Sequence, residues 1–406
     1  MAYNTNTNEI FLFGGESKDG TGSAETFLND VWRFETATST WTKLTTINPP
    51  SPRGYASMVF NPDRNRFYLL GGRTAIGSPP VEDGQTPSEV SQEQWELNPS
   101  NLTWTAVTPT TNMGGQYGAG LVYATATQEM ISFGGQSEDA TKTLGATLDY
   151  TFSRNTWINR ATDSNMAPND RRSHAMVENP VSHELFMYGG YIYDIVDGPD
   201  ATPGEEAQLV ANAEMWVYSE EAMKWTEKPE ATGNKPGPLG DHGMVFTSSN
   251  NPADNRVLIF GGQSRDGADT VYHNEIWTYD PLAASDSNPW DEVNVVNPPS
   301  QRPTARIGHA MAYSPTDNKV LVFGGQVADG PDPGSYPDYR SDTWIYDVAN
   351  RSWSTAAGGP SARAFSKLVH LPGTDKFILF GGMITTSEDV DASGFLDPDA
   401  FVIYQE

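Results

Sequence analysis

One short pattern, an apolar run that ends in two glycines, constrains this chain more than any other feature. "KVLVFGG" at residues 319–325 is one example of seven. The first glycines of the seven pairs are Gly14, Gly71, Gly134, Gly189, Gly261, Gly324 and Gly381. Their spacing varies from 55 to 72 residues, while the pattern itself stays the same. A fixed motif at variable spacing indicates short strands joined by loops of different length.

Each doublet belongs to a longer repeat that predicts four strands. An apolar strand precedes it, and a short aromatic strand such as "TWIY" (343–346) follows it after a polar loop. A second Trp comes nine residues after the first in several units, as in Trp344 and Trp353. In the fifth unit, four extra residues within "PLAASDSNPW" lengthen this interval. Four such strands form a small antiparallel sheet with two apolar faces, which radial stacking of neighbouring sheets can bury.

These features resemble the Kelch repeat: an apolar strand, Gly-Gly, spaced aromatic residues and a downstream Trp. The resemblance covers essentially the whole chain and implies an all-β fold, a seven-bladed Kelch-type β-propeller. Its blades would be four-stranded and antiparallel, and the last would lack its outer strand. We expect a single domain over residues 1–406. The expected blades are, approximately, 1–48, 49–110, 111–164, 165–232, 233–298, 299–357 and 358–406.

The two ends of the chain leave its extent open. Met1 aligns with Met311, so the chain begins inside the innermost strand of its first unit, and "FVIYQE" ends it at the third strand of the seventh. Either the native protein starts there or the chain is a fragment of a longer one. A signal or a flanking domain upstream of Met1 is compatible with this sequence. The compartment, cytoplasmic or extracellular, therefore stays undetermined.

Composition excludes several functional classes. The formal charge of −27 opposes binding to nucleic acid and to anionic membrane surfaces and favours a soluble chain. No apolar stretch is long enough for a membrane span. The absence of cysteine excludes thiolate metal sites and Cys nucleophiles. It also excludes the chemistry of the Kelch-like copper radical oxidases, which require a Cys–Tyr crosslink. We expect no catalytic residue, although paired carboxylates in the loops would not be visible in sequence.

Four arginines at equivalent repeat positions are candidate ligand-binding residues: Arg53, Arg171, Arg306 and Arg363. The resemblance places them near the channel mouth, where guanidinium groups are suited to gripping a carboxylate. The competing interpretation is that each arginine ties adjacent units by bonding carbonyls. We favour this second interpretation, because repeated positions usually serve the repeat. His174, His242 and His309 are interpreted as packing residues.

The long loops after the doublets add two further candidates. Tyr191, Tyr193, Tyr336 and Tyr339 are suited to anchoring a peptide or stacking on a sugar, or equally to folding their own loops down. The last loop, "DVDASGFLD", places oxygen ligands at alternate positions around Gly394. These are Asp389, Asp391, Ser393 and Asp397. Such a loop suits Ca²⁺, although Ser393 replaces an expected Asp; the alternative is an ordinary acidic turn.

The sequence favours a non-catalytic binding scaffold that recognises a protein or peptide through loops on one face of the propeller. One alternative is an extracellular propeller that binds or modifies carbohydrate, stabilised by calcium. A second alternative is a structural module of a larger surface protein. The repeat itself does not choose among them, because propellers host many unrelated tasks.

Overall fold

The computed structural model describes most of the chain. The described residues are 1–18, 25–75, 88–137, 144–160, 167–194, 208–228, 233–248, 255–266, 269–284, 287–328, 338–357, 359–374, 376–384, 395–396 and 400–404. Within these ranges the regular structure is β-strand, apart from one 3₁₀ turn at Pro299–Gln301. The chain divides into two compact units. Met1–Arg172 and Tyr218–Thr226 make up unit one, and Ser173–Val217 and Glu227–Glu406 make up unit two.

Unit one contains three four-stranded antiparallel sheets, each with its strands in chain order. Sheet 1 consists of Ala2–Asn4, Glu9–Lys18, Glu25–Glu35 and Thr40–Leu44. Sheet 2 consists of Ser57–Asn61, Arg66–Leu70, Gln94–Asn98 and Thr103–Val107. Sheet 3 consists of Gly120–Ala124, Glu129–Phe133, Thr147–Thr151 and Thr156–Asn159.

The later sheets repeat the same meander. Sheet 4 consists of Ala175–Glu178, Glu184–Tyr188, Met215–Ser219 and Lys224–Glu227. Sheet 5 consists of Gly243–Thr247, Arg256–Phe260, Ile276–Tyr279 and Trp290–Glu292. Sheet 6 consists of Ala310–Ser314, Lys319–Phe323, Thr343–Asp347 and Ser352–Ala356. Sheet 7 shows three strands among the described residues, Lys367–His370, Lys376–Phe380 and Ala400–Tyr404.

Short accessory strands pair at the end of sheets 2, 4, 5, 6 and 7 where the glycine doublets lie. In unit one, Arg53–Gly54, Arg73–Ala75 and Ser88–Val90 form one small sheet. In unit two, the two-stranded pairs are Tyr191–Asp194 with Gln208–Ala211, Gln263–Asp266 with Asp269–Tyr272, and Met383–Ile384 with Phe395–Leu396. The strands Arg306–Ile307, Gln326–Val327 and Asp338–Tyr339 form a three-stranded sheet.

The core lies between the stacked sheets of each unit, and the strand Lys319–Phe323 shows how it forms. Val320 and Val322 pack with sheet 5 residues, whereas Leu321 and Phe323 pack with sheet 7 residues. All four side chains are essentially fully buried. Burial of each stabilises the fold by roughly 1.5–3 kcal/mol. An apolar strand with no polar alternation is therefore what a sheet covered on both faces requires.

The glycine doublet turns the chain out of the second strand with positive φ at both residues. In sheet 6, φ is 63° at Gly324 and 99° at Gly325. A Cβ on Gly325 would lie 2.8 Å from the Ile307 carbonyl oxygen and 2.9 Å from the Cβ of His309. Glycine is therefore required both for the backbone conformation and for the close approach of the segment that contains Ile307 and His309. Sheet 1 differs, because its second strand continues through the doublet with a register shift between Phe13 and Gly15.

The predicted all-β fold and the meander of four antiparallel strands are confirmed. The prediction of seven blades closed into one ring, and of a single domain with the stated blade limits, stays a prediction.

Candidate functional site

Main-chain hydrogen bonds join four of the doublets to the next sheet along the chain. In these four the N–H of the second glycine donates to the carbonyl at the repeat position that the four arginines share. The N···O distances are 2.9 Å for Gly72–Gln116, 2.8 Å for Gly190–Leu239, 3.0 Å for Gly262–Arg306 and 2.8 Å for Gly325–Arg363. We call this contact the doublet clip. It uses main-chain atoms, so Gln116 and Leu239 serve in place of arginine.

The arginine side chains stabilise their own sheets. Arg306 Nη1 donates to the Gly324 carbonyl at 2.8 Å and to Asp342 Oδ1 at 2.7 Å, and Nη2 donates to Asp342 Oδ2 at 2.9 Å. Arg306 Nε donates to the Thr304 carbonyl at 2.9 Å. The carboxylate of Asp342 also accepts a hydrogen bond from the indole of Trp344 at 2.6 Å. One buried guanidinium thus joins the doublet, the third strand and the preceding loop.

Sheet 2 repeats this arrangement. Arg53 donates to the Gly71 carbonyl at 3.0 Å and to Glu93, which also accepts from the Trp95 indole. Its Nε donates to the Ser51 carbonyl at 3.1 Å. The acid two residues before the Trp is therefore a functional part of the repeat that the sequence analysis missed. The signal is visible in "EQW" (93–95) and "DTW" (342–344), where an acid stands at the same offset.

The other two predicted arginines also donate to main-chain carbonyls. Arg363 donates to the Gly381 carbonyl at 3.0 Å and to the Ser361 carbonyl at 3.1 Å, and Arg171 Nε donates to the Asn169 carbonyl at 3.0 Å. All four arginines are at most 1% exposed. The second interpretation expects each arginine to bond carbonyls, and these side chains do so. The carbonyls, however, belong to the arginine's own sheet or to the loop before it. The ligand-binding role of Arg53, Arg171, Arg306 and Arg363 stays a prediction, and a ligand would have to displace protein acceptors.

The ion pair also fixes the protonation of its carboxylate. Burial alone would raise the pKa of Asp342, but the hydrogen bonds and charge of Arg306, with the Trp344 indole, hold that pKa below its ordinary value. The pKa of Glu93 is lowered for the same reasons, with Arg53 and Trp95 outweighing burial. Both carboxylates are therefore charged near neutral pH and serve as permanent partners of the buried guanidinium groups.

The predicted tyrosines lie in different surroundings. Tyr191 is 3% exposed, donates a hydrogen bond to Asp241 at 3.1 Å and accepts one from Gln263 at 2.5 Å. Tyr339 is 6% exposed and pairs with Gln326 in the accessory sheet. Tyr193 lies in the strand Tyr191–Asp194, and Tyr336 lies outside the described residues. Both the ligand role and the loop-packing role of these tyrosines stay predictions.

The predicted calcium ligands Asp389, Asp391, Ser393 and Asp397 all lie outside the described residues, so that site stays a prediction. Among the residues that the structure does describe, no three His, Cys, Asp or Glu side chains come together as metal ligands would. His242 and His309 are buried, and burial lowers the pKa of each to about 3, so both imidazoles are neutral. Each ring packs edge-on against an aromatic residue, Tyr188 and Phe260 respectively.

A second repeat position, two residues after the arginine, was not singled out by the sequence. Its residues all adopt a left-handed backbone with φ between 54° and 64°. They are Tyr55, Gly118, Ser173, Asp241, Gly308 and Phe365. We call this set the left-handed row. Within unit two, the N–H of Asp241, Gly308 and Phe365 each donates to the carbonyl of the preceding row member, at 3.1, 3.1 and 2.6 Å. In unit one, Gly118 donates to Tyr55 at 3.0 Å.

Two members of the row are large aromatic residues that remain exposed. Tyr55 is 51% exposed and Phe365 is 44% exposed. In unit one, the Tyr55 ring lies 6.1 Å from that of Tyr117, over which the Arg73 guanidinium lies at 5.7 Å. In unit two, the Phe365 ring covers Gly308, where an added Cβ would approach it to 2.7 Å. Bulky residues are rare in this conformation, and such backbone outliers cluster at functional sites.

Within the described part of the chain, we find no helix that is both long and apolar enough to cross a bilayer.

Comparison with known proteins identifies the family. Residues 130–404 match the attractin/LZTR1 beta-propeller family model, and residues 1–190 match the model of the KLHDC2/KLHL20/DRC7 Kelch-repeats domain. The first of these matches alone covers more than half of the chain.

Individual relatives are distant. The chain is 22% identical over 364 residues to Mei4-dependent protein 6 of Schizosaccharomyces pombe, a match that covers 86% of this chain and 47% of that protein. It is 25% identical over 263 residues to the mouse protein multiple epidermal growth factor-like domains protein 8, covering 63% of this chain and 8% of that protein. The chain thus spans less than half the length of these relatives. Taken with the repeated four-stranded sheets, the family matches show that the chain belongs to the Kelch-repeat β-propeller family.

Proposed function

We propose that this chain is a non-catalytic recognition scaffold. It binds a protein or peptide segment at the end of the sheets where the glycine doublets lie. Kelch propellers generally bind protein partners, which gives the class of function. The observation that carries the finer proposal is the exposure of Tyr55 and Phe365, each held in a left-handed backbone at the same repeat position.

The energetics of these two residues favour a binding role. A left-handed backbone costs a non-glycine residue roughly 1–2 kcal/mol. Each ring packs only in part, against Tyr117 and Gly308 respectively, so about half of it stays uncovered in the free protein. A partner that covers the exposed half of the ring would recover roughly 1–1.5 kcal/mol of apolar burial. Aromatic residues displayed on a rigid scaffold are the usual anchors of protein interfaces.

The main-chain bonds of the left-handed row supply the rigidity. Because the row members are joined by their own N–H and carbonyl groups, the backbone beneath Phe365 is fixed before a partner arrives. Preorganisation of this kind lowers the entropic cost of binding. The row member Asp241 is itself held by hydrogen bonds from Tyr191 and Gln263 in unit two.

The proposal is tested by selecting binders from a displayed peptide library on the full chain. We expect selected peptides to lose at least about tenfold in affinity for Tyr55→Asn or Phe365→Asn, because a hot-spot anchor contributes upward of about 1.4 kcal/mol. Asn suits the left-handed backbone, so both variants keep the local fold.

Val181→Asn is the matched control, since Val181 is 65% exposed but lies in a hairpin turn at the other edge of sheet 4. Equal loss in all three variants, or retained binding in both row variants, contradicts the proposal. Reproducible glycan binding on an array with no peptide selected would favour the carbohydrate alternative instead.

A further inference from the structure

Unit two contains a cleft between sheets 5 and 6 whose volume is about 510 Å³. It lies at the end of these sheets where the hairpin turns are, opposite the end with the glycine doublets. Its apolar floor includes Leu258, Val293, Tyr346 and Val348. The volume falls within the roughly 300–1,000 Å³ usual for small-molecule sites.

The four-residue insertion in the fifth sequence repeat forms one wall of this cleft. Asn288 and Pro289, at the end of that insertion, both line it. The Pro289 carbonyl accepts the N–H of Asp280 at 2.9 Å, and the Asn288 amide donates to the Asn234 carbonyl at 2.7 Å. These bonds fix the wall at the mouth of the cleft.

The hydroxyl of Tyr346 is an unused polar group at the floor. Tyr346 is 2% exposed, and its hydroxyl has no hydrogen-bond partner among the described residues. At the equivalent place in sheet 4, the Tyr218 hydroxyl donates to Asp149 at 3.1 Å. Sheet 5 has Thr278 at the repeat position of Asp149, so the shorter side chain leaves both the hydroxyl and the space unfilled.

Two unpaired charges of opposite sign flank this hydroxyl. Asp291 comes from sheet 5 and Arg351 from the hairpin turn of sheet 6, and both line the cleft. Within the described part of the chain, neither side chain makes a hydrogen bond or ion pair, whereas Arg256 and Asp280 beside them pair at 3.1 Å. Burial chiefly raises the pKa of Tyr346 to about 12, with Arg351 lowering it and Asp347 and Asp291 raising it further. Both unpaired charges therefore act on one phenol.

We propose that this cleft binds a small zwitterion of the amino acid class, as a free amino acid or as a dipeptide. The ligand carboxylate pairs with Arg351 and accepts a hydrogen bond from Tyr346. Its ammonium group pairs with Asp291, and its apolar side chain covers Leu258 and Val348. The site is separate from the partner surface proposed above, because it lies at the hairpin-turn end of the sheets and that surface lies at the doublet end.

Calorimetric titration of the full chain with L-leucine and with L-leucyl-L-leucine tests the proposal. We expect saturable binding of at least one, and which of the two binds more tightly distinguishes a free amino acid from a dipeptide. N-acetyl-leucine, which lacks the cation, and leucinamide, which lacks the anion, are expected to bind at least about tenfold more weakly, because each loses one charge-assisted bond. No heat from either probe at millimolar concentration, or equal binding of the blocked forms, overturns the proposal.

Variants locate the binding. Arg351→Asn and Asp291→Asn are each expected to lower affinity at least about tenfold, and Asn suits the left-handed φ of 51° at position 351. Thr278→Asp restores the acid found at Asp149 and is expected to occupy the Tyr346 hydroxyl and abolish binding while the fold is kept. Arg154→Asn, in the equivalent turn of sheet 3, is the control and should leave affinity unchanged. Binding that survives Thr278→Asp places the ligand elsewhere and overturns the assignment.

Discussion

Gly325 and Arg306 show how single residues maintain the repeat. Gly325 is confined by the Ile307 carbonyl and the His309 side chain, and its N–H forms the doublet clip to Arg363. Arg306 supplies the complementary contact, since its guanidinium satisfies the Gly324 carbonyl and the Asp342 carboxylate together. The glycine permits close approach, and the arginine satisfies the polar groups that this approach buries.

Gly325→Ala is expected to lower the free energy of unfolding by about 3 kcal/mol or more, because backbone strain adds to a collision with backbone atoms. Gly373→Ala is the matched control. Gly373 also has positive φ, at 74°, but nothing lies within 4 Å of an added Cβ. We expect a loss of roughly 1–2 kcal/mol there. Urea unfolding followed by fluorescence measures both, and equal losses would show that close approach contributes nothing.

Asp342→Asn is expected to destabilise the protein at pH 7 by on the order of 1–2 kcal/mol, discounted because Asp342 is partly exposed. The folded pKa of Asp342 is lowered, so its contribution is full above the ordinary Asp value of about 3.9 and is lost as pH falls through the folded pKa. The difference between variant and wild type should therefore shrink between pH 5 and pH 3. A difference independent of pH would contradict the assigned ion pair. Asp338→Asn, in an exposed pair with Arg340, is the control.

At the scale of the element, the hairpins between the first and second strands share a left-handed residue at one turn position. Asn8, Asn65, Gln128, His183 and Asn318 occupy it, with φ between 52° and 58°. Asn tolerates this conformation better than most residues, because its short side chain bonds locally. The turn geometry is thus kept even where the residue is poorly suited to it.

Gln128→Asn is expected to raise the free energy of unfolding by roughly 0.5 kcal/mol, since Gln128 is exposed and only its backbone preference changes. The reciprocal change, Asn65→Gln, should lower it by at least as much, because it also disturbs the hydrogen bond from Asn65 to Ser100. Thermal unfolding of the two variants with wild type provides the measurement. Shifts in the same direction for both would show that backbone preference does not govern this turn.

The strands were the part of this molecule most accessible from sequence. "KVLVF" predicts a strand buried on both faces, because all four of its apolar residues must be covered, and sheets 5 and 7 cover them. Contacts between sheets were less accessible. The pairing of Arg306 with Asp342 spans 36 residues, and the unused hydroxyl of Tyr346 depends on which residue the neighbouring sheet places opposite it. Phe365 gives no local sign of a left-handed backbone, and its N–H bonds to the carbonyl of Gly308, which lies 57 residues earlier in the chain.

At the scale of the whole molecule, the dominant property is the formal charge of −27. Like charges distributed over a folded chain repel one another, and compaction brings them closer. Salt screens this repulsion, with a Debye length of about 10 Å at 0.1 M. The same field would speed the approach of a basic partner at low salt and slow it as salt rises.

Raising NaCl from about 10 mM to 200 mM is therefore expected to increase the midpoint temperature of unfolding by several degrees, because screening relieves self-repulsion. KCl at the same concentrations should give the same increase if screening is responsible. A midpoint that falls with salt, or that responds to one cation alone, would show that attractive ion pairs or specific binding outweigh the net charge.

The doublet clip has a consequence for how such a chain can change over time. Its donor and acceptor are present in every residue except proline at the donor, so joining one sheet to the next makes no demand on the intervening loop. Loops after the doublets are therefore free to lengthen, shorten or exchange residues while the joint is inherited intact.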